Sequence, residues 1–320
     1  MRRILSAGFA IGVLASVSAC GATGSSSQPD SADTSGAPTS TTIKALPAKA
    51  GSVTIGSAAF PEAELLAHLY AGAMKANGVK ADVHANIGER TAYMAALKDG
   101  SIGAVPEYSG ALLNYLSPGN TARSSEDVYA ELQQTARNQN LAVVNYAPAQ
   151  DADTITVTRK TADKYHLTTI GDLKPVANRL RLGAPAPMRT ESYGVPALKK
   201  VYGVVFKQFV SLSPSGTVIQ TALRNGTVDA ANIFSTDPAI SRFDLVSLKD
   251  PQHIFAAQNI VPVFKQDVLT QPMADACDAV SAKLDTDTLR TLVAEVVDGG
   301  DPSTVASNWL KQNDLAKTLN

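Results

Sequence analysis

Two stretches of this chain set an aromatic ring beside a serine at matching positions: Pro106-Glu107-Tyr108-Ser109-Gly110 and Ile233-Phe234-Ser235-Thr236. Such residues hold a small molecule, the ring through its face and the hydroxyl through hydrogen bonds. Catalysis would ask for a nucleophile with its base, a carboxylate pair or a metal cluster. None of the patterns GxSxG, GxGxxG or GxxxxGK[ST] occurs. The four histidines, His68, His84, His166 and His253, are scattered without metal-ligand spacing. Binding without chemistry is therefore the expectation, with no catalytic residue, cofactor or metal.

The elements that must position these rings are themselves repeated. Ala95 to Gly110 aligns without a gap on Thr221 to Thr236, pairing Leu97 with Leu223, Gly100 with Gly226, Ile102 with Val228, Tyr108 with Phe234 and Ser109 with Ser235. Gly100 and Gly226 stand where a helix must close in a left-handed residue, which only glycine adopts cheaply. Ile102 and Val228 then open a buried strand, and ligands of α/β sheets lie beyond the carboxyl ends of such strands. The repeat predicts two similar α/β lobes with Tyr108 and Phe234 looking into one cleft.

Along the chain, a strand at Ser52 to Ser57, a helix opened by Pro61 with Glu62 and Glu64 in its first turn, an alternating strand from Val79 to Ala85 and a turn from Gly88 to Thr91 lead into the first copy. This βαβαβ order predicts a parallel sheet with crossover helices. Ala147 to Ala152 breaks the pattern and reads as the first passage between lobes; the apolar Asn259 to Phe264 carries the chain back. Helices near Pro272 to Leu284, Thr286 to Val297 and Pro302 to Leu310 then cover the first lobe. The expected division is a first lobe from residues 51–152 and 259–320 and a second from 153–258. Trp309 and Cys277 are expected in the core.

The chain has 320 residues, 44% hydrophobic and 18% charged, with a net charge of −1. That composition is globular, and no basic face invites nucleic acid. Met1-Arg2-Arg3, the apolar Ile4 to Val17 and the small Ser18-Ala19 before Cys20 make a signal sequence of the bacterial lipoprotein kind. Residues 1–20 are read as signal with Cys20 as the lipid-bearing residue, and 21–50, rich in Ser, Thr, Ala and Gly, as a tether.

Gly56-Ser57-Ala58-Ala59-Phe60-Pro61-Glu62, Ala96-Leu97-Lys98-Asp99-Gly100 through Pro106-Glu107-Tyr108-Ser109-Gly110, and Phe234-Ser235-Thr236-Asp237 resemble the motifs GSKNFTE, AL-x-x-G…PEYTG and YSTD of the osmoprotectant (glycine betaine, choline, carnitine) binding proteins of ABC importers, the ProX/OpuC type. The resemblance implies a two-lobed periplasmic-binding-protein fold of type II that closes on a quaternary ammonium in an aromatic cage. It also implies a monomer held at the outer face of the cytoplasmic membrane, with permease and ATPase subunits as partners. Carried over by position, Tyr108 keeps its ring, Phe234 replaces a tyrosine, Asp153 falls near a second, and Gln258, ending Phe255-Ala256-Ala257-Gln258, stands for the last tyrosine of FPPY. Ala58, Ala59 and Ala63 have lost the polar side chains of the first motif, and Arg189 is the nearest arginine to the family's own. Ser109, Ser235 and Thr91 complete the expected ligand set. With the cage thinned, a ligand larger, more polar or more aromatic than glycine betaine is expected. A surface lipoprotein that senses a solute or binds a partner without transport, and an enzyme using Asp153 or Glu107 as base, stay open as alternatives on the sequence alone.

Overall fold

Strand β1 (Ser52–Ala58), helix α1 (Pro61–Ala76), β2 (Lys80–Gly88), α2 (Arg90–Asp99) and β3 (Ala104–Tyr108) open the folded part, followed by α3 (Ser109–Leu116), α4 (Ser125–Arg137) and β4 (Leu141–Val143). Next come β5 (Asp153–Thr158), α5 (Arg159–Tyr165), β6 (Arg181–Ala184), α6 (Val195–Tyr202), β7 (Gln208–Ser211), α7 (Val218–Arg224), β8 (Ala230–Phe234), α8 (Ala239–Arg242) and β9 (Leu245–Leu248). The chain ends with β10 (Ile260–Lys265), α9 (Gln271–Ser281), α10 (Thr286–Val297) and α11 (Pro302–Gln312). This computed structural model describes residues 45–214 and 217–316. Cys20, the signal segment and residues 21–44 of the expected tether lie outside them.

The strands form two five-stranded sheets, ordered β2-β1-β3-β10-β4 and β7-β6-β8-β5-β9. Place for place, the second repeats the first, so β6 corresponds to β1, β8 to β3 and β5 to β10. The expected parallel sheets need one correction. In the first, β10 runs antiparallel to both β3 and β4; in the second, β5 runs antiparallel to both β8 and β9. Each is the strand that enters its sheet from the other one, so it starts at the cleft and runs away from it. Ile260 therefore lies opposite Tyr108, and Asp153 opposite Phe234.

Both copies of the repeat end their helices as expected: Gly100 has φ +88 and Gly226 φ +73, open only to residues that tolerate the left-handed region. Each sheet is covered on both faces. In β10, Ile260 and Phe264 join the core under α1 and α9 to α11, whereas Val261 and Val263 join the core under α2 to α4. All four are fully buried, a contribution of about 1.5–3 kcal/mol each. Leu65, Leu66, Leu69, Tyr70 and Met74 give α1 the apolar stripe that meets the terminal helices, where Trp309 and Cys277 are buried too. Among the described residues no helix is long and apolar enough to cross a membrane.

Candidate functional site: the cleft between the two sheets

Two short segments, one before β5 and one before β10, carry the chain between the sheets, and they pair with each other at Gln150 and Asn259. The repeated serines fasten them. Ser109 donates its N–H to Asn259 O (2.9 Å) and its hydroxyl to Ala257 O (3.3 Å), and accepts Asn259 N–H (3.0 Å). Ser235 donates its N–H to Ala152 O (2.9 Å) and its hydroxyl to Gln150 O (2.6 Å), and accepts Ala152 N–H (2.9 Å). The bonding is the same on both sides, each serine gripping residues two apart. Arg290 of α10 adds a bond from Nε to Ser235 O at 2.9 Å.

Between the gripped residues lie Gln258 in one segment and Asp151 in the other, joined by Asp151 N–H to Gln258 O at 3.1 Å. Their side chains turn to neighbouring places of the repeat. Gln258 Oε1 accepts Ala111 N–H at the start of α3 (2.9 Å), and Asp151 Oδ1 accepts the Thr236 hydroxyl (2.6 Å). Gly110 is required here, since a Cβ on it would stand 2.5 Å from Ala257 O.

The rings and acids meet at the carboxyl ends of β3 and β8. Tyr108 donates its hydroxyl to Glu62 Oε1 (2.7 Å) and stacks on Phe60, centroids 6.2 Å apart and planes at 23°. Phe60 is 40% exposed and Phe234 52%, high values for phenylalanines beside a cleft. Burial first, then the neighbouring Asp151, pushes the Glu62 carboxyl up to about 8, against hydrogen bonds from Tyr108 and Thr236. Burial, with Asp153 and Asp237 nearby, pushes Asp151 up to about 6 in spite of the Thr236 hydrogen bonds. Burial also raises Asp153, although Asn232 Nδ2 donates to it at 2.9 Å. A cavity of about 470 Å³ opens between the two sheets, with Asn114, Arg123 and Gln258 on one side and Asp153, Glu191 and Tyr193 on the other; of the rings and acids above only Asp153 is among its lining residues.

Of the expected ligand residues, Asp153 and Gln258 line this cavity. Tyr108 is engaged with Glu62, and Phe234 lies opposite Asp153 in the sheet; neither is among the residues lining the cavity. Ser109 and Ser235 hold the crossing segments. Thr91 is exposed as the second residue of α2 and is not among the residues lining the cavity. Phe60, Glu62, Asp151, Tyr193 and Thr236 were not anticipated as site residues. The ungapped repeat does not reach the crossing segments, so it could not have pointed to Asp151 as the counterpart of Gln258.

Glu107 has a different place. Its fully buried carboxylate accepts Arg90 Nε (2.8 Å) and Nη2 (3.1 Å), the Tyr93 hydroxyl (2.7 Å) and Tyr108 N–H (2.9 Å). Those four bonds fix the strand end that aims Tyr108. A separate groove of about 510 Å³, with Lys160, Lys164 and Arg224 on its walls, lies at the opposite end of the second sheet, away from the carboxyl end of β8.

Residues 51–312 match the model of the substrate binding domain of ABC-type glycine betaine transport systems. The glycine betaine-binding protein YehZ of Escherichia coli (strain K12) is 29% identical over 287 residues, 85% of this chain and 94% of YehZ. The solved structure of apo YehZ has a TM-score of 0.73 at 27% identity, covering 82% of this chain and 99% of that one. The crystal structure of a glycine betaine/carnitine/choline ABC transporter protein has a TM-score of 0.77 at 24% identity, covering 83% and 100%, a likeness of fold. The two-lobed α/β fold expected from the repeat is thus shared with solved binding proteins. Matched from its first strand to its last helix, the chain belongs to the family of substrate-binding domains of ABC-type glycine betaine transport systems.

Proposed function

We propose that the protein is the extracytoplasmic receptor of an ABC importer, seating a quaternary ammonium solute in the cleft between residues 51–152 with 259–320 and residues 153–258. The carrying observation is a cavity where the two sheets' strand ends meet, lined from both sides by Gln258, Asp153 and Tyr193, with the aromatic pair of Phe60 on Tyr108 at the end of β3 outside its lining. A trimethylammonium offers no N–H to a hydrogen-bond acceptor, so ring faces and negative charge are what can hold it. Phe60, Tyr108 and Phe234 supply the rings; Asp153, Gln258 and Tyr193 shape the wall. Ser109 and Ser235 belong to the hinge instead, because their hydroxyls are bonded to the crossing segments. The ligand differs from glycine betaine, in keeping with Ala58, Ala59 and Gln258 at positions where the resembling motifs carry Lys, Asn and Tyr.

The reading includes a lipid on Cys20, a monomer at the outer face of the cytoplasmic membrane, and permease and ATPase subunits as partners. It includes no catalysis: Glu107, the alternative base, has its oxygens engaged by four donors. A thermal-shift screen against betaines, choline, carnitine, amino acids and polyamines tests it, since a ligand bound only by the folded form raises the midpoint. A quaternary ammonium should raise it, and Tyr108→Ala should abolish the rise. An unchanged rise in that variant would move the site elsewhere.

A further inference from the structure

At the end away from the cleft the two sheets differ, and the strand register allows the comparison residue by residue. Val157 pairs with Ala230 as Phe264 pairs with Ala104, and Ala230 matches Ala104 in the repeat. Counted on along the chain, Lys160 takes the place of Asp267, while the repeat itself sets Arg224 on Lys98 and Asn225 on Asp99. In the first sheet this corner is neutralised. Lys265 Nζ lies 3.5 Å from Asp267 Oδ2, and Asp99 acts on the same lysine while accepting the Ser101 N–H (2.8 Å) and hydroxyl (2.6 Å). In the second sheet both acids are gone, one replaced by an amide and one by a lysine.

The corner so altered is the groove of about 510 Å³. Lys160 and Lys164, one turn apart on α5, line it together with Arg224 at the end of α7 and Asn225 beyond it; the buried Leu223 and Val228 give the lining its apolar part. Its one acid, Asp229, is already engaged. Arg181 donates Nε to Asp229 Oδ2 (2.9 Å) and Nη2 to Oδ1 (3.2 Å), and Nη2 also to Gly226 O (2.7 Å). Lys207 acts on the same carboxylate. Asp244 is paired with Arg159 at 3.3 Å, and Asp163 is not among the lining residues. Among the described residues no ion pair involves Lys160, Lys164 or Arg224.

Three cations gathered without a counter-charge repel one another, and helix ends account for two of them only. Lys164 and Arg224 stand in the last turns of α5 and α7, where a cation suits the helix. Lys160 stands in the first turn of α5, where it does not. The Arg224 guanidinium lies over the Phe243 ring, 4.9 Å from its centroid. Held flat in this way, it can offer an edge of two N–H groups to one anion.

We infer that the groove is a second ligand site, remote from the cleft, which takes a phosphomonoester on a glycerol- or sugar-sized body. A single carboxylate would leave most of the positive charge uncompensated. A phosphomonoester brings up to two negative charges and three acceptor oxygens, enough for the Arg224 fork and the two lysines. Hydroxyls on its body would meet the Asn225 amide. Two sources present this chemistry, a free phosphorylated solute and the headgroup of phosphatidic acid.

The test uses the purified protein in two arms, titration calorimetry with glycerol phosphate and sedimentation with phosphatidylcholine vesicles containing phosphatidic acid. Binding of glycerol phosphate alone supports the site with a soluble ligand. Binding of those vesicles alone, with pure phosphatidylcholine vesicles left unbound, supports it with a headgroup. Arg224→Ala and Lys164→Gln should each weaken the interaction about tenfold or more, the loss of one charge-assisted contact. Asn225→Asp, which restores the acid of the first sheet, should weaken it comparably and leave the melting temperature within about two degrees. Lys98→Ala, the matching change in the first copy, should leave it within about twofold. Failure of both probes to bind, binding unmoved by Arg224→Ala and Asn225→Asp, or binding abolished by Lys98→Ala or by Tyr108→Ala would each overturn the inference. The reading of the cleft does not depend on it.

Discussion

Ser109 and Ser235, in different sheets, make the same three hydrogen bonds, each to the segment by which the chain passes from one sheet to the other. The chain's internal repeat is therefore a repeat of the fastening of the crossing segments as well as of the strands that flank the cleft. Replacing either serine by alanine removes a donor and an acceptor together. In Ser109→Ala the buried Asn259 N–H is left without that partner, at a cost of about 1–3 kcal/mol. Thermal denaturation should show a fall of several degrees for each variant, and additive falls in the double variant would mean that the two fastenings are independent.

Glu107 and Arg90 set up a second measurement. The Glu107 side chain is fully buried and the Arg90 side chain 29% exposed. The pair holds the end of β3 from which Tyr108 projects. Arg90→Ala leaves the Glu107 carboxylate buried with two donors fewer, and the loss expected is about 3 kcal/mol. Chemical denaturation should show it as a lower midpoint with an unchanged slope.

Stability should also depend on pH with an uncommon sign. The folded protein holds the Glu62 proton up to about 8, whereas the unfolded chain releases it at its ordinary value of 4.5. Between those limits the folded state binds more protons, so stability falls as pH rises and levels off above the upper one. Asp151 acts in the same direction between 3.8 and about 6. Melting temperatures from about pH 5 to 9 should decline across this window. Glu62→Gln should flatten the decline; a wild-type curve rising across the same interval would contradict the assignment.

Phe234 offers binding without stability. Being 52% exposed at the end of β8, it contributes little to the core. Phe234→Ala should leave the melting temperature within about two degrees, yet weaken choline binding by a few-fold to about thirtyfold, the range of one cation–π face.

How far the sequence announced this can be judged element by element. The strand Ser52–Ala58, the helix opened by Pro61 and the helix Thr286–Val297 lie where their apolar spacing and end residues place them. Gly100 and Gly226 have the left-handed backbone that their place after a helix calls for. Strand direction was another matter. Nothing local distinguishes a parallel from an antiparallel partner, and β5 and β10 run backwards because each enters its sheet from the other. The candidate site was legible in its rings and not in its acids. Glu62 reads as an ordinary acid in the first turn of a helix, and Asp151 as a polar loop residue. They meet because α1, β3 and the first crossing segment converge, a tertiary fact. The serines were read as groups facing a ligand, whereas their hydroxyls are bonded to backbone atoms of the crossing segments.

A crystal structure of the protein grown with choline is the most direct trial of the receptor reading. It should show the trimethylammonium between the Phe60 and Tyr108 rings and Phe234, within reach of Glu62 and Asp151. Choline found only in the groove of Lys160 and Arg224, with the cleft holding solvent alone, would contradict it.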